Sequence, residues 1–374
     1  MAVTLSRPAR RRPQWHRLSV AAIDRLTDEA VSVAFAVPAN LRATFDFAAG
    51  QHLTLRRYDG EEEVRRSYSI CSAPSVLRDQ GLLRVGIKRV PSGSFSGFAT
   101  TGVRVGDTVE VLPPLGTFGG EPAVRWQRGE SDTQPRHYAG IVAGSGITPV
   151  AAIAAAALES NDDSRVTLVF GNRTSASVMF ADALADLKDR FPQRFRLIHV
   201  LSREPQSAEL LSGRLDPPRL ERIFAALLPP GDVDDWYLCG PYGMVTGARK
   251  ALADAGVDES RVHTELFFAE EIPPPPQEEG ASGETEARIT VDGRSSTITM
   301  RRDERVLDAA LRARPELPYA CKGGVCATCR AKLLDGEVHM ARNFALDQSD
   351  IDAGYILTCQ STPRSDHLDI DYDA

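Results

Sequence analysis

The chain of 374 residues carries 44 Lys and Arg against 51 Asp and Glu, a net charge of -7, and is 42% hydrophobic and 25% charged. That balance offers no general basic surface for nucleic acid or an anionic membrane, and no apolar run reaches the roughly eighteen residues a membrane span needs. The length allows two or three domains, each with its own core.

The first residues include Arg7, Arg10, Arg11 and Arg12 without the apolar stretch that follows them in a secretory signal. A basic tail and a cytoplasmic location are expected. There thiols stay reduced, and clustered cysteines signify metal or redox chemistry rather than disulfides.

Residues 14 to about 118 read as short alternating strands, such as GQHLTLRRY and LLRVGIKRV, broken by glycine and proline. An antiparallel barrel is expected for the first domain, residues 1–135. Within it RRSYSICS sets Arg66, Tyr68 and Ser69 on one strand, a cation, a ring and a hydroxyl able to converge on one ligand. GSFS at 93–96 opens a predicted helix whose free amides suit a phosphate.

From His137 the pattern changes to apolar strand followed by helix, repeated: HYAGIVA and PVAAIAAAALES, RVTLVFG and ASVMFADALADLKDRF, RFRLIHVL, then DDWYLCG and PYGMVTGARKALADAG. This predicts a doubly wound α/β domain over 136–272, with ligands at the carboxyl ends of its parallel strands. GSGITP follows the first of these strands. Gly144 and Gly146 allow close approach to a pyrophosphate, Thr148 is a candidate cap, and Pro149 suits the first helical turn. At the ends of the next two strands stand Arg173, in GNR, and Ser202 and Arg203, in LSRE. Arginines and a hydroxyl there suit a ribose 2'-phosphate, which places NADPH ahead of NADH. Cys239 ends another strand in LCGPYGM, before Gly240 and Pro241. A lone cysteine at such a place is more often a small core residue than a catalyst.

PPPPQEEGASGETE, residues 273–286, has four prolines and little to bury, and is expected to be a linker. Beyond it, 287–374 holds a hairpin with Asp292-Gly293 at its turn, the helical VLDAALRAR, and KLLDGEV with a second Asp-Gly turn. Cys321, Cys326 and Cys329 follow C-x4-C-x2-C, with Cys359 alone downstream, the plant-type spacing for a [2Fe-2S] cluster. Structural zinc prefers two short-range pairs. Gly323 and Gly324 leave room for the backbone to wrap the sulfides. Asp347, Asp350, Asp352, Asp366, Asp369, Asp371 and Asp373 read as a solvated acidic face.

RSYS, GSFS, GSGITP, CGPYGM and HTELFF together resemble the ferredoxin reductase superfamily over residues 14–270, and the cysteine domain resembles a plant-type ferredoxin of β-grasp fold. The resemblance implies FAD rather than FMN. It implies that Arg66 binds the flavin pyrophosphate, Tyr68 packs on the isoalloxazine, Ser69 lies near N5, and Ser96 holds the flavin phosphates. It implies further that Cys239 and Glu265 border the site of hydride transfer, with Phe267 against the flavin and Phe268 as the alternative ring.

GNRTSASVMFADALADLK, VLSREPQSAELLSGRLD and ACKGGVCATCRAKLLDGEVHMARNFAL resemble, more narrowly, the reductase subunits of phenylacetyl-CoA epoxidases. That resemblance implies a di-iron oxygenase as partner. A nicotinamide delivers two electrons as a hydride whereas the cluster accepts one, and a flavin between them handles both steps. The chain has no E-x-x-H pair for a di-iron site and no C-x-H pairing of the Rieske kind, so oxygen activation is expected on another polypeptide. The alternatives are the reductase of another oxygenase, acting on a steroid, an alkane or an aromatic, and a flavin diaphorase with a zinc or structural C-terminal module.

Overall fold

The computed structural model describes residues 14–91, 93–130, 134–267, 283–346 and 348–374. Contacts divide the chain into two compact bodies, one spanning Trp15–Ile272 and the other holding the residues from 283 onward. The expected alternative ring Phe268 and most of the expected linker lie outside the described residues.

The first body opens with β1 (His16–Thr27), β2 (Ala30–Ala36), β3 (His52–Asp59), β4 (Glu62–Ser69), β5 (Leu82–Lys88) and β6 (Thr108–Val111). They form one antiparallel sheet in the order β4-β3-β6-β1-β2-β5. A bridge from Ile70, just past β4, to Val85 in β5 links the two edges and closes the barrel. Strict alternation explains the core: Leu18 and Val20, Leu53 and Leu55, and Leu83, Val85 and Ile87 all point inward. Two short helices follow in this region, α1 (Pro74–Gln80) and α2 (Ser94–Thr101); α2 buries Phe95 and Ala99 against the barrel.

After α3 (Gly120–Gln127) come β7 (His137–Ala143), α4 (Ile147–Ser160), β8 (Arg165–Asn172), α5 (Ala181–Arg190), β9 (Phe195–Leu201), α6 (Pro217–Ala226), β10 (Asp235–Gly240), α7 (Tyr242–Asp254) and β11 (Val262–Leu266). The sheet is parallel throughout in the order β11-β10-β7-β8-β9. The order reverses between β7 and β10, so the loops leaving these strands meet at the switch point where such sheets bind ligands. Gly146 makes that meeting possible, because a Cβ there would collide with the Cys239 carbonyl. One predicted helix is shorter than the run ASVMFADALADLKDRF suggests. Phe180 adopts φ 59, and a capping box between Thr174 and Ser177 forms a separate turn, so α5 begins at Ala181.

The barrel and the sheet are packed as one body. Tyr237 in β10 donates from its hydroxyl to the Gly119 carbonyl at 3.2 Å, stands edge-on to Phe118 and stacks on His263.

The second body contains β12 (Glu284–Val291), β13 (Arg294–Arg301), α8 (Val306–Ala313), β14 (Arg330–Asp335), β15 (Val338–Met340), α9 (Gln348–Asp352), β16 (Tyr355–Leu357), β17 (Ser361–Pro363) and β18 (His367–Asp371). Its main sheet runs β13-β12-β18-β14-β16, with β12 and β18 parallel, as in a β-grasp; β15 and β17 pair separately. Asp292 and Gly293 take φ 52 and 67 at the expected hairpin turn, and the Asp373 carboxylate accepts from both of their amides. Asp335-Gly336 is a turn but no hairpin, since β14 and β15 belong to different sheets.

Two expectations need correction. The linker stops short of 286, because Glu284, Thr285 and Glu286 already pair with Arg301, Met300 and Thr299. Exposed glutamates alternating with a buried Thr285 made the start of β12 look like linker. The acidic face is partly paired as well as solvated: Asp350 pairs with Arg330 at 2.7 Å, the exposed Asp366 with Arg302, and Asp369 with Arg288 at 3.8 Å, while Asp347 lies outside the described residues.

Candidate functional site

At the carboxyl ends of β7, β8, β9 and β10, facing the barrel, opens a cavity of about 1510 Å³. Gly144 lies on its wall with φ +54, and a Cβ there would meet only Lys88 Nζ, at 4.0 Å. The backbone is therefore bare toward the cavity, as close approach to a phosphate requires. Of the expected residues Arg173, Ser202, Arg203, Gly240, Pro241 and Phe267 also line it. Two backbone hydrogen bonds, Ser202 N–H to the Asn172 carbonyl at 2.9 Å and Arg203 N–H to the Arg173 carbonyl at 2.8 Å, hold the ends of β8 and β9 together.

Sequence reasoning missed two lining residues. Arg214 follows β9 by a dozen residues, in a stretch whose family likeness assigned it no role, and joins Arg173 and Arg203 at the cavity. All three are exposed, and among the described residues none of them is held in an ion pair. Asn172 is buried, and its Nδ2 has no hydrogen-bond partner. A buried amide without a partner beside three free guanidinium groups is a donor set waiting for an anionic, hydroxyl-rich ligand. Glu204, which would repel such a ligand, is instead turned to Ser175 and accepts from its amide at 2.8 Å and its hydroxyl at 3.0 Å.

The three residues expected at the reacting centre converge. Cys239 and Glu265 are register partners on β10 and β11, and Ser69 of the barrel donates to Glu265 Oε2 at 3.3 Å. Burial raises the Glu265 carboxyl to about 8, with Ser69 opposing the shift. At neutral pH it keeps its proton. Burial, and Glu265 beside it, raise the Cys239 thiol as well, so it is no nucleophile. Tyr68 packs 5.5 Å from Phe95, and burial raises its phenol while Arg66 opposes. Arg66 is exposed, and its Nη1 donates to the Arg65 carbonyl at 2.7 Å.

Four expected residues play supporting parts instead of lining the cavity. The Ser96 hydroxyl is buried and accepts from the Val90 amide at 3.1 Å, fixing the loop before α2, while Gly93, Ser94 and Gly97 face the cavity. Gly93 must be small, because its Cβ would meet Ser96 Oγ at 2.5 Å. Thr148 does not cap α4; it donates from Oγ1 to the Ser145 carbonyl at 2.7 Å and packs under Gly86 of the barrel. Gly146 and Pro149 are buried packing positions.

In the second body the four cysteines act on one another as two pairs, Cys321 with Cys326 and Cys329 with Cys359. Within each pair one thiol is held down, Cys321 to about 6 by Cys326 and the amides of Gly323, Val325 and Cys326, and Cys359 by Cys329. Among the described residues no three His, Cys, Asp or Glu side chains gather as one metal ion would need. Two thiol pairs suit a centre of two irons. The loop strains to make them meet, with Lys322 and Ala327 both at φ 51 and Gly324 at φ 81.

Three family descriptions match these regions: an oxidoreductase FAD-binding domain over 17–119, an oxidoreductase NAD-binding domain over 141–250, and a 2Fe-2S iron-sulfur cluster binding domain over 289–364. The chain is 41% identical over 361 residues to one of the subunits of the 1,2-phenylacetyl-CoA epoxidase of Escherichia coli (strain K12), covering 96% of this chain and 98% of that one. It belongs to the iron-sulfur flavoprotein reductases of oxygenase systems. A second relative is the 3-ketosteroid-9-alpha-monooxygenase ferredoxin reductase component of Rhodococcus rhodochrous, 32% identical with 95% and 96% of the two chains covered. The solved structure of phthalate dioxygenase reductase shares the fold, with TM-score 0.56 at 20% identity over 96% of this chain and 98% of that one. The reductase is thus an NAD(P)H-dependent oxidoreductase with flavin, pyridine nucleotide and [2Fe-2S] domains in that order.

Proposed function

We propose that this reductase takes electrons from NADPH, passes them through FAD and a [2Fe-2S] cluster held by Cys321, Cys326, Cys329 and Cys359, and delivers them to a di-iron oxygenase that epoxidises the ring of phenylacetyl-CoA. The observation that carries the partner is the 41% identity running the full length of both chains, ferredoxin domain included. NADPH is favoured over NADH by the unpaired Arg173, Arg203 and Arg214 and by the diversion of Glu204 to Ser175.

When bound, flavin and cluster supply the conversion from hydride to single electrons. The chain supplies the rest. Gly144, Asn172, Ser202 and the arginines anchor the dinucleotide across the switch point. Arg66 and the loop latched by Ser96 suit the flavin phosphates, and Tyr68 offers its ring. Ser69 donates to Oε2 of a neutral Glu265 carboxyl where barrel and sheet meet, and the neutral Cys239 thiol adds no charge there. Domain limits near 1–135, 136–272 and 283–374 fit this division of labour. A cytoplasmic location accords with six free cysteines, and no helix among the described residues is long and apolar enough to cross a membrane.

The test is anaerobic titration with NADPH followed by reconstitution. Flavin and cluster bands bleaching together at about three electrons per chain, and product formation with a phenylacetyl-CoA oxygenase but not with a 3-ketosteroid oxygenase, is the expected result. Preference for the steroid system would reassign the partner, and zinc without acid-labile sulfide would remove the electron chain.

A further inference from the structure

Gln360 follows Cys359, the one cysteine of the four outside the loop, and is 1% exposed. Its Nε2 stands 2.8 Å from the Lys322 carbonyl, 2.8 Å from the Cys359 carbonyl and 3.4 Å from Cys359 Sγ. Two carbonyl oxygens fix which way the amide points, because the reverse orientation would set oxygen against oxygen. On its other side Oε1 is buried without a hydrogen-bond partner. An apolar side chain of the same length would not leave an acceptor unsatisfied, so the net benefit of Gln360 lies with its two N–H groups.

Its position is set from several directions. The Lys322 carbonyl belongs to a residue held at φ 51. Gly324 makes room, since a Cβ there would come within 3.0 Å of Gln360 Cγ. The Gln360 carbonyl accepts from the Ala341 amide at 2.9 Å, and its own amide donates to the Leu357 carbonyl at 2.8 Å. Two hydrogens facing three acceptors means that one is shared with the sulfur.

We infer that Gln360 is a positioning residue that donates a hydrogen bond to the Cys359 sulfur and so raises the reduction potential of the cluster that the four cysteines hold. The inference rests on the cluster reading above. An N–H dipole aimed at a ligand sulfur stabilises the reduced, more negative state more than the oxidised one. The Cys321 sulfur receives such a bond from the backbone amide of Gly323 at 3.3 Å, which no substitution other than proline removes. At Cys359 the donor is a side chain, so its effect can be deleted.

The experiment uses the full-length holoprotein with 15N confined to glutamine side-chain amides, reduced anaerobically and examined by pulsed electron paramagnetic resonance. A 15N coupling to the cluster signal that disappears in Gln360→Met is expected. So is a lower cluster midpoint potential in that variant, with the flavin potential unchanged. A cluster signal without a glutamine coupling in the wild-type protein overturns the inference even if the variant fails to assemble. An unchanged potential in a fully loaded variant overturns it too, leaving Gln360 as a clamp on the Lys322 turn. No paramagnetic centre at all would sink the cluster reading, and this inference with it.

Discussion

The two bodies of the reductase organise their chemistry in opposite ways. The C-terminal body concentrates it in four side chains of one type, Cys321, Cys326, Cys329 and Cys359, brought into two pairs by a loop and one strand end. The N-terminal body draws it from residues scattered between Glu29 and Phe267, and much of its cavity is bare backbone at Gly144, Gly213 and Gly240. A thiolate site should therefore fail all at once when one member is removed, whereas a dinucleotide cleft should degrade by degrees. The sharpest way to break this comparison is Cys359→Ser. It is expected to abolish the cluster absorbance and electron delivery to the oxygenase while NADPH-driven reduction of ferricyanide stays within about twofold, because that acceptor draws on the flavin. Loss of both activities would mean that the bodies do not work separately.

Glu265 is the point in the cleft where a single side chain should matter most. Burial holds its carboxyl near 8, against an ordinary 4.5, so it is mostly protonated at neutral pH. Stopped-flow reduction of the flavin by NADPH is expected to decline as pH rises through about 8. Glu265→Gln, which keeps a neutral hydrogen-bonding side chain, should leave the rate at pH 7 within a few-fold and flatten that profile. Stability carries the same signature. Between 4.5 and about 8 the native state keeps a proton that the unfolded chain has released, so its stability falls as pH rises through that window. The glutamine variant escapes this loss, and its melting temperature should gain on the wild type from pH 5 to pH 8 and no further. A constant difference at every pH would show that Glu265 titrates normally.

The same contrast explains what could be foreseen. Cysteine spacing, strand periodicity and the start of the α/β pattern at His137 are local, and the structure follows them. The contact of Ser69 with Glu265 spans 196 positions, and only family likeness anticipated it. Arg214 was missed because it sits well past the end of its strand, and the loop's path to the cavity is not readable from spacing. Ser96 looks ligand-facing and Thr148 looks like a helix cap in motifs that leave side-chain direction open; both hydroxyls close local turns instead. Gln360 showed nothing in sequence because its part depends on the Lys322 carbonyl, 38 positions away.

Between these extremes stand the arginines. A charge-assisted hydrogen bond to phosphate contributes about 1.5–3 kcal/mol, so Arg173→Ala with Arg203→Ala should raise the KM for NADPH by at least about tenfold, leaving NADH within about twofold. Arg214→Ala alone should show the same selectivity on a smaller scale. Steady-state kinetics with both nucleotides decides it, and equal losses would make these residues structural.

Ser96→Ala gives the smallest effect and separates two roles that the motif GSFS leaves merged. If the hydroxyl only latches the loop before α2 by accepting from the Val90 amide, its removal costs about 1 kcal/mol of stability and weakens flavin binding a few-fold through a looser loop. Ser94, which faces the cavity and donates to Asp59 Oδ2 at 3.0 Å, provides the control. Ser94→Ala should leave the melting temperature nearly unchanged, since its contact is exposed. Flavin retention through gel filtration and thermal melts of both variants make the comparison. A Ser96 variant that melts like the wild type yet loses its flavin would return this hydroxyl to the phosphates and show that the cleft, like the cysteine loop, concentrates its binding in single side chains.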